Sequence, residues 1–255
     1  MVNMELINKH FEKALNYIES DVVRDIIIKA LLNVNEKFYT AGASSTGKYH
    51  PDYAAGESGL VRHTNGVVYF AVTLSDLECN ECNQYEKDLL VGSSILHDTC
   101  KSGLNWDKKH SAHEHPLLVI GLLSDDDLTL EEIAIWNELN DIISSHMGEW
   151  NESKYSKTSL PKPTKKLQKL LHEADLLASR KPINLDIFDD DLPEVDIIIP
   201  IATEKQVNYI HGLIREARNL PDYDKNYDHL DFENMKMTAA SKIISQLKEL
   251  VPQEV

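Results

Sequence analysis

Apolar residues recur every three to four positions along most of the chain, which is the spacing of amphipathic α-helices. Residues 124–129 contain acidic candidates for the cap of one of these helices. Alternation with a period of two is almost absent, and the one short extended candidate is residues 195–200. The predicted fold class is therefore all-α. Helices are predicted over residues 4–20, 21–38, 60–78, 85–97, 116–123, 130–146, 165–180, 203–218 and 236–250.

Polar stretches rich in glycine, serine or proline separate the predicted helices. Residues 39–61 form a predicted loop that is long for a compact domain, and loops of this length are usually functional or disordered. Residues 186–202 combine prolines with an acidic cluster and are predicted to link a domain of residues 1–185 to a small helical module of residues 203–255. A stabilising or oligomerising tail and a nucleic-acid contact remain alternative roles for this module.

Charge and cysteine content narrow the classes of function. Asp and Glu number 42 against 26 Lys and Arg, so the formal net charge is −16. Such a surface argues against coating of duplex DNA and against docking on anionic membranes, although a bound cation can still attract a phosphate substrate. The three cysteines form no disulfide framework, and no apolar run reaches the roughly 18–20 residues of a membrane span. We therefore expect a cytoplasmic protein, in the host cytoplasm if a phage encodes it.

Several of the eleven histidines and two aspartates lie inside or beside strongly apolar sequence. An unpaired imidazole or carboxylate in such surroundings costs several kcal/mol, so these groups need each other, water or a metal ion. Imidazoles and carboxylates without thiolates suit divalent transition metals and do not suggest a closed structural zinc site. The residues in question are His63, His97, Asp98, His115, His146 and Asp175.

The order and local context of these residues resemble the HD-domain superfamily of metal-dependent phosphohydrolases. The His-Asp doublet is followed by Lys101, as in the family pattern His-Asp-x-x-Lys, and the resemblance covers about residues 40–180. It implies an HD-type helical bundle and a site with one or two divalent ions, namely Mn, Fe, Co, Ni, Zn or Mg. The matching motifs are RHT at 62–64, HDTCK at 97–101, EHP at 114–116, SHMGEW at 145–150 and ADLLAS at 174–179.

The resemblance also implies how the ligands divide between two ions. The first ion would take His63, His97, Asp98 and Asp175, and the second would take His115 and His146 with Asp98 as a bridge. A single ion, with His115 and His146 on the substrate phosphate, is the alternative. His113 competes with His115 as a ligand, but His115 is favoured because it immediately precedes Pro116, which suits the first turn of a helix.

Catalysis by such a site would use a metal-activated hydroxide that attacks phosphorus. Besides the bridging Asp98, Lys101 is predicted to donate to the phosphoryl oxygens from a position one turn beyond His97. Arg62 is predicted to contact either phosphate or a surface carboxylate, whereas His172 and Glu173 are predicted to face solvent. Candidate substrate contacts are Ser44, Ser45, Thr46, Lys48, His50, His113 and Trp150.

Each of these substrate contacts has an ordinary structural alternative. Residues 44–48 are expected either to cradle phosphate or to form a solvated loop. Trp150 or Trp106 is expected either to stack on a base or to pack in the core.

Cys79 and Cys82 form a lone Cys-x-x-Cys pair, which is a weak signal for zinc or redox chemistry.

The predicted function is hydrolysis of phosphoester bonds in a small nucleotide-type substrate, as in a nucleotidase or a dNTP or NMP phosphohydrolase. Two alternatives use the same site: a 3′–5′ exonuclease acting on single-stranded nucleic acid ends, and a cyclic or dinucleotide phosphodiesterase. A non-catalytic nucleotide-binding sensor is a third. No membrane partner is expected, and the amphipathic N-terminal helices are candidates for self-association into a homo-oligomer.

Overall fold

A computed structural model describes residues 2–44, 50–183, 185, 202, 204–218, 220–232, 235 and 237–251. Over this part of the chain the regular structure is helical and contains no strand, which confirms the all-α prediction. The extended candidate at residues 195–200 lies outside the described residues. Of the helices in the described part, none has the length and apolar character that a membrane span requires.

Ten α-helices follow one another within the described residues, and short 3₁₀ turns separate several of them. Their bounds are α1 Met4–Leu15, α2 Asp21–Leu32, α3 Lys37–Thr40, α4 Gly59–Ser75, α5 Gln84–Leu96, α6 His115–Leu118, α7 Leu130–Ser144, α8 Lys166–Ala178, α9 Glu204–Ala217 and α10 Met237–Leu250.

The first two helices are shorter than the hydrophobic period predicts. α1 ends at Leu15 instead of residue 20, and α2 ends at Leu32 instead of residue 38. Ser20 caps α2 with its side chain, so the chain must leave helical geometry before it. Ile18 and Val34 lie beyond the helix ends and are nevertheless buried. The apolar period therefore reports burial correctly and overestimates helix length.

The segment between α5 and α7 also differs from its prediction. The helix expected over residues 116–123 is the single α-turn α6 followed by a 3₁₀ turn, Val119–Leu122. The cap of α7 is Thr129 and not an aspartate, because its hydroxyl accepts a hydrogen bond from the Glu132 amide at 3.3 Å. The Glu132 carboxylate in turn accepts from the Thr129 amide at 2.8 Å, which completes a capping box.

The chain divides into two compact units, Met1–Val195 and Asp196–Val255, and the division falls inside the stretch 186–202. In the first unit α4 packs against α5 and α8, and α5 packs against α2 and α7. The apolar stripe of α1 faces the core of this same unit, where Ile7 and Phe11 are fully buried. The second unit has a core of its own, in which Ile210 on α9 and Leu247 on α10 are fully buried.

Candidate metal centre

The six ligand candidates come from five different elements of the first unit and lie together in its interior. His63 lies on α4, and Asp175 lies on α8. The other four follow or begin a helix: His97 and Asp98 come after the end of α5, His115 is the first residue of α6, and His146 comes after α7. The side chain of Asp175 is 22% exposed, whereas that of Asp98 is only 4% exposed. The cluster is therefore closed on the histidine side and open to solvent at Asp175.

Three of the histidines are oriented by a carbonyl three residues earlier in the chain. The Nδ1–H of His97 donates to the Ser94 carbonyl oxygen at 2.7 Å. In the same way His115 donates to Ala112, and His146 donates to Ile143, each at 2.8 Å. A carbonyl oxygen can only accept, so the hydrogen of each neutral ring must be on Nδ1. Each Nε2 is then left with a lone pair for a metal ion, as in histidine ligands held by an outer hydrogen bond.

The candidate ligands form two groups of three, in each of which the ligand atoms lie within 4.8 Å of one another. The first group is His63, His97 and Asp175. In this group the His63 Nε2 lies 3.1 Å from the Asp175 Oδ1, and the His97 Nε2 lies 4.0 Å from the same oxygen. His63 Nε2 and His97 Nε2 are buried and have no hydrogen-bond partner among the described residues. Two orphaned nitrogens beside one carboxylate fit the ligand set of a divalent ion.

The second group is Asp98, His115 and His146. The His115 Nε2 lies 3.0 Å from the Asp98 Oδ1 and 3.1 Å from the His146 Nε2. With hydrogen on both Nδ1 atoms, two nitrogen lone pairs face each other across this short distance, which is repulsive unless a cation lies between them. Two imidazole nitrogens at about 2.1 Å from one ion, and at a right angle around it, are about 3.0 Å apart. The observed spacing therefore fits a shared metal ion.

Asp98 lies between the two groups. Its Oδ1 is the atom close to His115, whereas its Oδ2 lies 3.6 Å from the His97 Nε2 and 3.8 Å from the His63 Nε2. Lys101 places its Nζ 2.5 Å from the same Oδ2. One carboxylate oxygen thus faces each group, which is the arrangement a bridging ligand needs.

The charges of the cluster favour the forms that bind metal. Burial opposes ionisation of Asp98, but Lys101, His97 and His115 outweigh it and hold its pKa well below the usual range. Burial opposes ionisation of Asp175 too, and its contact with His63 together with the nearby imidazoles holds its pKa low. Burial lowers the pKa of His97, and burial with His115 and His97 nearby lowers the pKa of His146 to about 3. Metal ligands must be deprotonated in this way.

Of the predicted substrate contacts, His50 lies beside the cluster. Its ring is half-buried and its centroid is 4.8 Å from that of His63 in an edge-to-face arrangement. Ser44 is half-buried at the edge of the described loop. Ser45, Thr46 and Lys48 lie outside the described residues, so the structure leaves the predicted phosphate cradle as a prediction.

Arg62 is buried, and of its two predicted contacts the one with phosphate stays a prediction. Its side chain is buried, and its Nε and Nη2 donate hydrogen bonds to the main-chain oxygens of Tyr53 and Ala55 at 2.5 and 2.6 Å. The Tyr53 hydroxyl in turn donates to the Ala178 carbonyl at the end of α8, at 2.7 Å. A buried guanidinium committed to these carbonyls does not reach a surface carboxylate. Arg62 anchors the segment that leads from His50 to α4.

The remaining predicted contacts lie at the edge of the cluster. His113 places its Nε2 3.2 Å from the Asn151 carbonyl oxygen and belongs to neither group of ligands. Trp106 is buried, and its Nε1 donates to the Thr99 carbonyl at 3.0 Å. Trp150 is 48% exposed, so it is the tryptophan of the two that a ligand can reach.

His172 is a residue that the sequence reasoning missed. The sequence pattern predicts that it faces solvent, but it is half-buried and its Nδ1 donates to the His146 carbonyl oxygen at 2.8 Å. Its ring centroid lies 6.2 Å from that of Trp150. The signal was available, because His172 precedes Asp175 by three positions and residues at this spacing share one face of a helix. Glu173, the next residue, is exposed as predicted.

Comparison of the chain with protein-family models, with curated proteins and with solved structures gives no match.

Proposed function

We propose that this chain is a metal-dependent phosphohydrolase of the HD-domain superfamily and that it hydrolyses phosphoester bonds of small nucleotides. The observation that carries the proposal is the position of Asp98, with one carboxylate oxygen toward each of two buried ligand groups. Three imidazoles whose Nε2 lone pairs face the same interior, and the sequence motifs around them, support it further.

Divalent ions, when bound, supply an activated water and the Lewis acidity needed for attack on phosphorus. His63, His97 and Asp175 would hold one ion, His115 and His146 would hold the other, and Asp98 would contribute to both. Lys101 is the cation beside Asp98 and is proposed to donate to the phosphoryl oxygens as their negative charge increases. The four buried imidazoles exclude bulk water on the inner side, so substrate approaches from the side of Asp175.

A small substrate suits this site better than a long polymer. The net charge of −16 disfavours broad electrostatic capture of nucleic acid, whereas a local cluster of cations can still attract one phosphate group. Trp150 offers an exposed aromatic face beside His172, where a base can stack. The proposed compartment is the cytoplasm, since the three cysteines are free thiols.

The test is a phosphate-release assay on chelator-stripped protein reloaded with Mn²⁺, Fe²⁺, Co²⁺, Ni²⁺, Zn²⁺ or Mg²⁺. The panel holds nucleoside monophosphates, deoxynucleoside triphosphates, cyclic and dinucleotides, and short single-stranded RNA and DNA. We expect activity on a mononucleotide, full inhibition by EDTA, and a loss of at least about 100-fold in His97→Ala and in Asp98→Asn. His110→Ala is the matched control, because His110 is an exposed histidine of the same unit.

Each outcome of the phosphate-release assay leads to a different conclusion about the site. Cleavage of single-stranded ends or of cyclic nucleotides, with no turnover of mononucleotides, would replace the proposed substrate class by the corresponding alternative. Metal-dependent nucleotide binding without hydrolysis would indicate a sensor. Activity that survives in both His97→Ala and Asp98→Asn would overturn the assignment of the site.

A further inference from the structure

We infer that His172 is a positioning residue that couples the two groups of metal ligands, so that binding of the second ion depends on it. The inference rests on the proposed two-ion site and extends it to a residue outside the ligand set. His172 lies on α8, one turn before Asp175, which belongs to the first group. Its Nδ1–H donates to the main-chain oxygen of His146, which belongs to the second group.

The His172 ring packs tightly against the main chain of the segment after α7. Gly148 has a φ of +54°, in the left-handed region that favours glycine. A Cβ added at Gly148 would collide with the imidazole ring of His172. The main chain at residues 146–148 therefore meets the ring at two points, by a hydrogen bond at His146 and by close packing at Gly148.

The hydrogen bond from His172 would act on the candidate ligand His146 through the main chain of His146. The His146 ring is oriented by the Ile143 carbonyl, and its Nε2 lies 3.1 Å from the Nε2 of His115. Displacement of the His146 main chain would move that nitrogen, because the ring hydrogen bond is local to the same turn. The first group touches residue 146 through a ring contact, in which the His97 centroid lies 5.1 Å from that of His146. The main chain that carries its three members belongs to α4, to the end of α5 and to α8, so the hydrogen bond from His172 to residue 146 does not hold it.

Outer hydrogen bonds to the side chains of metal ligands typically change metal affinity by about 10–100-fold. The bond from His172 acts one step further out, on the main chain that carries the ligand ring. For His172→Leu we therefore expect the dissociation constant of the second ion to rise by about 10–100-fold and that of the first ion to stay within about twofold. His172→Asn keeps an amide donor near the position of Nδ1 and is expected to recover most of the lost affinity.

The experiment is equilibrium dialysis of the chelator-stripped full chain against Mn²⁺, with ions counted by mass spectrometry and folding checked by circular dichroism. His110→Leu is the control and is expected to bind as the wild type does. Gly148→Ala, measured alone and in the His172→Ala background, is the second test. The alanine should weaken binding of the second ion in the wild-type background. It should weaken that binding less in the His172→Ala background, where the collision with the imidazole is gone and only the backbone strain at Gly148 remains.

The outcomes separate this inference from the proposed function. If His172→Leu binds each of the two ions with the same affinity as the wild type does, the inference is overturned and the proposed function is left intact. Equal weakening of both ions, or no recovery in His172→Asn, would show a merely structural role and would also overturn it. Binding of a single ion by wild type removes the second site and the inference with it, and binding of none overturns the proposed function as well.

Discussion

Lys101 lies against the carboxylate that faces both groups of ligands. Its Nζ is 2.5 Å from the Asp98 Oδ2, and its side chain is 16% exposed, so the ammonium group is close to the ligands without being enclosed by them. A cation in this position can stabilise Asp98 and can also reach a substrate oxygen. These two roles predict different consequences of its removal.

For Lys101→Met we expect hydrolysis to fall by about 100-fold or more, which is the usual cost of losing one donor to a developing oxyanion. The metal content should stay unchanged, because the histidine and aspartate ligands remain. The measurement is kcat/KM alongside the ion content of the same sample. Lys108→Met is the control, since Lys108 is an exposed lysine of the same loop. Loss of metal in parallel with activity would show that Lys101 acts only by supporting Asp98.

Arg62 is a buried cation that supports the structure beside the candidate metal centre. For Arg62→Met we expect the free energy of unfolding to fall by about 2–3 kcal/mol, because the Tyr53 and Ala55 carbonyls lose their donors. The measurement is the midpoint and slope of urea unfolding. Arg180→Met removes an exposed arginine and should change stability by less than about 0.5 kcal/mol. Equal effects of the two substitutions would contradict the anchoring role.

At the scale of elements, α5 also holds the start of α2. The carboxylate of Asp88 on α5 is buried and accepts hydrogen bonds from the amides of Glu19 and Ser20 at 3.0 and 2.8 Å. It accepts a third from the Gln84 side chain at 2.9 Å. The N-terminus of α2 is thus tied to the helix whose end carries His97 and Asp98.

Asp88→Ala leaves two main-chain donors without their partner, so we expect a loss of about 2–4 kcal/mol in the free energy of unfolding. Asp76→Ala is the control: Asp76 pairs with Lys87 at the surface and its side chain is 59% exposed, so this variant is expected to unfold at nearly the same urea concentration as the wild type. Urea unfolding measures both variants. A loss below about 1 kcal/mol for Asp88→Ala would show that the tie between α5 and α2 contributes little.

The helices of the first unit could be predicted from the sequence where the buried apolar residues lie on one face of a regular helix. The apolar residues of α4 and α5 identify these central helices, because stripes such as Leu60, Val67 and Val68 follow the helical period. The period fails at α6, where Val119 and Leu122 are buried on a 3₁₀ turn and not on a helix. Apolar spacing records which side chains face the core, and it does not distinguish a helix from a turn that presents the same residues.

At the scale of the whole molecule, the two units have separate cores. We expect scanning calorimetry of the full chain to show two transitions, of which one responds to metal. An ion at 100 times its dissociation constant stabilises the unit that binds it by about 2.7 kcal/mol. Added Mn²⁺ should therefore raise one transition temperature and leave the other unchanged.

Asp98→Asn provides the control for this experiment, since it removes the carboxylate that faces both groups. In this variant the metal-sensitive transition should move much less with added Mn²⁺. A shift of both transitions in wild type, or the same shift in the variant, would place the bound metal elsewhere than the centre in the first unit.

The ligand candidates could be selected from the sequence because each is a polar residue beside apolar sequence. The division into two groups could not be derived in this way, because it depends on how α4, α5, α7 and α8 pack. The spacing of His172 to Asp175 places both residues on one face of α8, but the partner of His172, the backbone of His146, and the carbonyl partners of Arg62 could not be predicted from the sequence. Both contacts join residues whose meeting is decided by tertiary structure.

The carbonyls that orient His97, His115 and His146 each lie three residues earlier, within one turn of the chain. Because each contact spans a single turn, the orientation of each ring is set by its own segment, whereas the distances between the rings are set by the packing of the helices. The loss of side-chain rotational freedom then accompanies the formation of local turns and does not reduce the free energy of metal binding. Assembly of the cluster is then the docking of segments whose imidazoles are already oriented.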